Sequence, residues 1–298
     1  MQSLAQVSTL LVYAAIAAFV GAMLAFAVDV SGRPGNRGEG VRRPGAGIGM
    51  SLTYLGTIFL GIGVVTRGIA GGHMPWSNMY EFTISFTFVA LVIFLILSRR
   101  WDLRDVGVFV ALPAALILGL AVVVLYTRSD GIAPILDHYW LIIHVPLAIG
   151  GVGVFGIAAF IAALQLGKDV AGEDHGLASR ILGVLPPVKT LEQLAHRLVA
   201  VGFVLWTFTI VAGAIWANSA WTRPWGWDAK EVMSFVVWVI YAAYLHARTT
   251  RGWDGRRSAY LILIGFAGVM FNMFGINYFF ESKHSYALIE PAITQLLL

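Results

Sequence analysis

The sequence predicts an all-α, polytopic membrane protein with about eight transmembrane helices and both termini on the outer, non-cytoplasmic side. Three observations predict it. The chain is 58% hydrophobic and only 12% charged, where a soluble domain carries about 25% charge. Its apolar residues fall into long blocks rather than alternating faces. Its basic residues sort to alternate loops.

Each element follows from a block of roughly 20 apolar residues, the length that crosses a ~30 Å hydrocarbon core at 1.5 Å rise. The first is 8–29, with no basic n-region and no A-x-A-like cleavage site, so it reads as a retained helix and not a signal peptide. A Gly-, Pro- and Arg-rich loop, 30–47, separates it from 48–66. The third block, 80–98, ends at Arg99 and Arg100; the fourth is 107–127 and the fifth 141–165. The polar segment 166–196 reads as a cytoplasmic loop whose Thr190-Leu-Glu-Gln is a capping-box start for a helix running into block six, 197–214. Blocks seven and eight are 231–247 and 258–280. Blocks this long without turn signals favour helices, because backbone groups in lipid must be satisfied within the segment. Residues 1–298 read as one integral membrane domain.

Fifteen of the 20 Lys and Arg residues fall in the loops 30–47, 99–106, 166–196 and 247–257 or at Arg197. Five, Arg67, Arg128, Arg223, Lys230 and Lys283, fall on the opposite side. The positive-inside rule makes the first set cytoplasmic. The net charge of +4 therefore reflects topology; no basic stripe with stacking aromatics points to nucleic acid. With no cysteine, disulfides, thiolate metal ligands and a cysteine nucleophile are excluded. Neither a P-loop nor a GxGxxG loop is present.

The most informative stretch is Ile215 to Arg248, with an external loop at 215–231. It opens with Trp216, Trp221, Trp225 and Trp227, then Asp228, Lys230 and Glu231, and runs into an apolar helix reaching His246. Four indoles so close exceed routine membrane-belt anchoring, the reading that suits Trp76, Trp101 and Trp253. They form a surface for a large flat ligand. Imidazole is a good axial ligand for haem iron, and ionisable residues at membrane depth are functional candidates. His138 and His144 sit at the outer start of block five, and His284 follows the outer end of block eight. His246 lies about 22 Å below the tryptophan loop along its helix. Two histidine levels imply either two haem positions or one functional and one structural level. His73, His138 and His175 read as solvated or structural. Asp228 and Glu231 read as a helix cap, and Asn272 and Asn277 as interhelical hydrogen-bonding residues.

The run Trp216-Ala217-Asn218, Ala220-Trp221, Trp225-Gly226-Trp227-Asp228-Ala229-Lys230-Glu231 resembles the WWD signature of the CcsA/ResC family of system II cytochrome c biogenesis. Tyr139 to Val145, Pro75 to Phe82, Tyr244 to Arg248, Gly252-Trp253 and Lys283 to Ala287 also match, in the family's order, over roughly residues 50 to 290. The resemblance implies haem b as bound ligand and substrate, His144 and His284 as external haem-iron ligands, and His246 as a transmembrane one. It implies a second transmembrane ligand from a ResB-type membrane subunit, with His196 the internal alternative. It further implies apocytochrome c as protein substrate, a thiol-disulfide reductase acting indirectly, and a lipid environment, the bacterial cytoplasmic membrane or, in plastids, the thylakoid membrane. The activity implied is a cytochrome c haem lyase, with no residue assigned as catalytic. The alternatives are a haem carrier or exporter without ligation activity, or a haem-containing transporter or electron-transfer protein. The tryptophans and Asp228 would shape the platform, and Arg223 or Lys230 would pair with a haem propionate. The family usually has glycine, proline and tryptophan where this chain has Thr222, Ala229 and Met233.

Overall fold

A computed structural model describes residues 2–31, 43–100, 102–127, 138–172, 182–183, 185–280 and 282. The helices are α1 (Gln2–Ser31), α2 (Pro44–Gly71), α3 (Met79–Ser98), α4 (Gly107–Val124), α5 (Tyr139–Ala171), α6 (Val188–Trp221), α7 (Ala229–Arg251) and α8 (Gly255–Met270). A 3-10 turn, Arg104–Val106, precedes α4. The chain leaves α8 through a π-turn, Phe271–Gly275, into the short α9, Ile276–Phe279. Among the described residues there is no strand. Among the described residues, eight helical segments are long and apolar enough to cross a membrane, as the sequence predicts.

The bundle has two large apolar centres, with smaller ones around Phe26 and around Leu141 and Trp216. One lies among α1 to α4, around Phe19, Leu60, Tyr80 and Leu118; the other lies among α5 to α8, around Phe155, Trp206, Tyr241 and Ile262. The α3–α5 contact joins them. In lipid, close packing rather than water expulsion holds helices together, and small residues permit it. The second centre is built on this rule. The Phe155 ring of α5 stacks on Tyr241 of α7, centroids 3.8 Å apart. Gly202 of α6 backs Phe155 and Gly265 of α8 backs Tyr241, each so closely that a Cβ would fall 2.7 Å from the ring. One ring pair thus locks four helices.

The loops sort into two ends. At one, Arg43 bridges Asp29 and Asp105 at 2.8 and 2.7 Å, and Arg256 pairs with Asp169. At the other, the tryptophan end, Arg67 of α2 pairs with Glu81 of α3 at 3.0 Å, both fully buried.

The ends of α5 and α6 differ from the sequence reading. α5 continues to Ala171, beyond the expected 165, whereas the helix expected from Thr190 into block six is present and begins at Val188. Thr190 does not cap α6. The cap position is Pro187, which has no side-chain hydrogen bond, and the helix starts directly after the Pro186-Pro187 pair. The proline ring presets the entry, so the Thr190 hydroxyl is already inside the first turn. In addition, α6 runs on to Trp221, which places Trp216 and Trp221 on a helix rather than in a loop.

Candidate functional site

A cleft open to solvent at its mouth lies at the tryptophan end; its empty space, open solvent included, is about 1170 Å³. One wall is α5 and α6, presenting His144, Trp206 and Gly213; the facing wall is the start of α7 and the π-turn, with Lys230 and Asn272. Trp76 and Trp225 close it from the loops.

His144 reaches this wall because α5 starts early. His138 caps the helix, its Nδ1 accepting from the Trp140 amide at 3.3 Å, so residue 144 lies in the second turn. Its Nδ1 is 2.9 Å from the Thr209 carbonyl of α6. A carbonyl only accepts, so Nδ1 carries the proton and the lone pair sits on Nε2. That is the tautomer of a metal-binding imidazole held by an outer partner. The Thr209 carbonyl also belongs to the helical turn that ends at residue 213. The imidazole can approach it because residue 213 is glycine; a Cβ there would fall 2.8 Å from His144 Cε1. Trp216, one turn on, stacks behind the ring at 6.4 Å and 18°.

The loop from α6 to α7 is organised by one carboxylate. Glu231 Oε2 accepts from the amides of Gly226, at 2.7 Å, and Asp228, at 3.1 Å. Asp228 in turn caps α7 and completes the capping box with Glu231 expected from the sequence. It also accepts from Ser282 Oγ at 2.7 Å, tying the chain beyond α9 to the loop. The Arg223 guanidinium packs against Gly226, where an added Cβ would fall 1.8 Å from Nη1 and 2.0 Å from Cζ. Of the two cations expected near a propionate, Lys230 lines the cavity, hydrogen-bonded to Asn277 Oδ1 at 3.0 Å, while Arg223 packs on the loop backbone.

The four tryptophans take different places. Trp225 lines the cavity. Trp216 is buried behind His144, with Trp221 edge-on to it at 4.9 Å. Trp227 is 78% exposed and meets Trp225 edge-on at 5.9 Å. His284 and Lys283 lie outside the described residues, as do Arg128, Trp101 and His175.

Thr222 and Trp227 are the only described non-glycine residues at positive φ, 57° and 58°. Thr222 is the left-handed C-cap of α6, a conformation glycine adopts freely and a β-branched residue resists. Glycine, the residue the resemblance implies at this position, adopts it without strain. Thr222→Gly is expected to stabilise the protein by about 1 kcal/mol, read as a higher melting temperature in detergent; an unchanged or lower one refutes the strain.

At the opposite end, His246 is exposed on α7. Its neighbour Tyr244 is buried, with its hydroxyl 3.2 Å from His196 Nδ1 and 3.4 Å from Ser258 Oγ. Two residues apart on a helix are about 200° apart. His196 therefore packs on the inward face of α7, and His246 points away from it. Arg248, paired to Glu192 at 2.5 Å, completes that inward cluster.

Two functional features escaped the sequence reading. Thr209 supports His144 from 65 residues away, with Gly213 leaving room for the ring, and neither has a local signal. Asn272, expected as an interhelical hydrogen-bonding residue, does donate to Ser234 Oγ of α7 at 2.9 Å, and it also lines the cavity. The Arg67–Glu81 pair had a signal, a carboxylate inside an apolar block, although its partner did not.

Eight membrane-length helices among the described residues define a multi-pass membrane protein, with a cavity at one end lined by His144 and Trp225. Residues 76–284 match the family model for the cytochrome C assembly protein. Cytochrome c biogenesis protein CcsA of Guillardia theta is 32% identical over 260 residues, 82% of this chain and 86% of the relative. CcsA of Gloeobacter violaceus is 30% identical over 281 residues, 76% and 82% of the two chains. The chain belongs to the CcsA family of cytochrome c biogenesis proteins. A solved structure named cytochrome c heme lyase CcmF superposes with a TM-score of 0.68 at 14% identity, over 94% of this chain. The chain spans about half, 47%, of that structure's length, and the likeness is one of fold.

Proposed function

We propose that the cavity at the tryptophan end receives haem b as substrate and presents it for covalent attachment to the CxxCH motif of apocytochrome c. The observation that carries this reading is His144 on the cavity wall, its Nδ1 proton on the Thr209 carbonyl and its ring in the space Gly213 leaves. That arrangement prepares Nε2 to ligate iron. His284 supplies the opposite ligand, tethered two residues beyond Ser282, which Asp228 holds. Lys230 pairs with a propionate. The protein needs no nucleophile of its own. Each substrate thiol adds across a vinyl group: sulfur bonds one vinyl carbon, and the proton ends on the other. The protein contributes position and exclusion of water.

The positive-inside rule faces this cavity outward from the bacterial cytoplasmic membrane, or into the equivalent space of a thylakoid. His246 then lies at the inner level. Its exposure, with His196 committed to Tyr244 on the other side of α7, supports an iron site shared with a ResB-type subunit. An ionisable residue facing lipid is costly, and a partner helix would remove that cost.

Co-expression with a ResB-type subunit and a CxxCH cytochrome tests the reading. Covalent haem on the cytochrome is expected with the partner, and a strong decrease with His246→Gly. Haem that co-purifies but never forms thioethers, with partner and reductant present, would instead favour a carrier without ligation activity.

A further inference from the structure

Asn272 brings a hydrogen-bond acceptor to the cavity. Its side chain is 3% exposed and lines the cavity, and its Oδ1 has no partner among the described residues. Which amide atom is left over follows from Ser234. That hydroxyl donates its single proton to the Lys230 carbonyl at 2.7 Å. It can then only accept from Asn272, which assigns Nδ2 to the 2.9 Å contact and leaves Oδ1. Asn272 belongs to the π-turn Phe271–Gly275, and such bulges concentrate at functional sites. A buried polar atom without a partner is costly, so the oxygen calls for a donor that arrives with a ligand.

Haem itself does not carry that donor. Its carboxylates are ionised and its pyrrole nitrogens hold the iron, so the porphyrin offers acceptors only. The donors that enter with it belong to its axial ligands: an imidazole bound through one nitrogen keeps an N–H on the other. His144 already shows the arrangement, with its Nδ1 proton on the Thr209 carbonyl. An imidazole on the other side of the iron needs an acceptor of its own. Asn272 stands on the wall that faces His144. It also stands deeper. The carbonyl of its partner Ser234 accepts from Trp206 Nε1 at 3.0 Å, and Trp206 precedes Thr209 on α6 by three residues, about 4.5 Å of helix rise. The offset suits an imidazole, whose free N–H is inclined to its metal–nitrogen bond. The acceptor then belongs to one side of the axis through the two ligands.

We propose that Asn272 is the positioning residue for the second axial imidazole: its Oδ1 accepts the N–H of the imidazole that binds iron opposite His144. It does for that ligand what the Thr209 carbonyl does for His144. Holding the N–H sets the rotation of the ring about its metal bond and makes the ligating nitrogen more basic. The inference rests on the haem reading above and goes beyond it by naming the group that orients the other ligand.

The test uses the full-length His284→Gly protein, loaded with haem while an added ligand supplies the second imidazole. Two ligands are compared: imidazole, and 1-methylimidazole, which binds iron through the same kind of nitrogen but has a methyl in place of the N–H. With each corrected for its affinity for free haem, imidazole is expected to support binding about three- to tenfold better, the worth of one net hydrogen bond. Asn272→Leu on the same background should abolish that preference and leave 1-methylimidazole nearly unchanged. A side chain that only fills space would keep the preference or weaken both ligands alike. Asn272→Asp, which keeps an acceptor, should keep the preference. With His284 restored, Asn272→Leu should raise the reduction potential of the bound iron, because an imidazole without its acceptor donates less to the ferric state. Equal binding of the two ligands, support from neither, or a preference that survives Asn272→Leu overturns the inference while haem binding by the wild type stands. A wild type that binds no haem overturns the haem reading itself.

Discussion

His144→Gly is expected to strip the purified protein of the haem at its tryptophan end and of the corresponding bis-imidazole absorption. Loss of an outer partner to a ligating histidine costs roughly 10–100-fold in affinity, and loss of the ligand itself should exceed that. Added imidazole should enter the space left by the side chain and restore the spectrum, which a misfolded variant could not do. The geometry supplies a second, independent variant. Gly213→Ala places a methyl 2.8 Å from His144 Cε1 and about 3.0 Å from Nδ1. The imidazole must move off the Thr209 carbonyl, losing both its place and its tautomer. Affinity is expected to fall by roughly 10–100-fold with every ligand still present. Alanine is otherwise the better helix former by about 1 kcal/mol, so thermal stability should not fall in parallel. Unchanged haem content and spectrum in both variants would remove His144 as a ligand.

What was legible in the sequence divides along the range of the interaction. The eight spans were legible because lipid demands long apolar blocks, and the Asp228–Glu231 cap because it is contained in four residues. The end of α6 was not. Nothing between Trp216 and Trp221 breaks a helix, so the helix carries two of the tryptophans up to Thr222, where the backbone turns left-handed. The tryptophan motif is thus not one surface: two indoles brace the histidine, one lines the cavity and one faces outward. The division between His246 and His196 needed the packing of α6 on α7. Sequence placed both at one level, while their opposite directions emerge only once Tyr244 is seen between them.

Breaking the buried Arg67–Glu81 pair is expected to be the most destabilising change in the first half of the bundle. Glu81 sits at the third position of α3, where Asn78 caps its amide at 2.9 Å. One carboxylate oxygen takes Arg67 Nε at 3.0 Å; the other takes the Ser77 amide and hydroxyl at 3.1 and 2.8 Å. Arg67 also donates to the Thr127 carbonyl, and the rings of Tyr80 and Tyr126 lie 5.1 and 5.7 Å from its guanidinium carbon. The arginine therefore holds the end of α4 as well as the start of α3. Glu81→Ala leaves a fully buried guanidinium without its counter-charge, at a cost of about 3–5 kcal/mol, and Arg67→Ala does the same to the carboxylate. With Arg67→Met and Glu81→Gln as the matched single variants, removing both charges leaves no uncompensated ion, so their double variant should be more stable than either of them. The consequence reaches the cavity, because Trp76, Ser77 and Asn78 form its rim. Haem occupancy should fall in the single variants and recover in the double one, in step with the melting temperature. If instead the double variant loses the sum of the two single losses, the pair is not coupled, and the rim is held by the Asn78 cap and the aromatic packing alone.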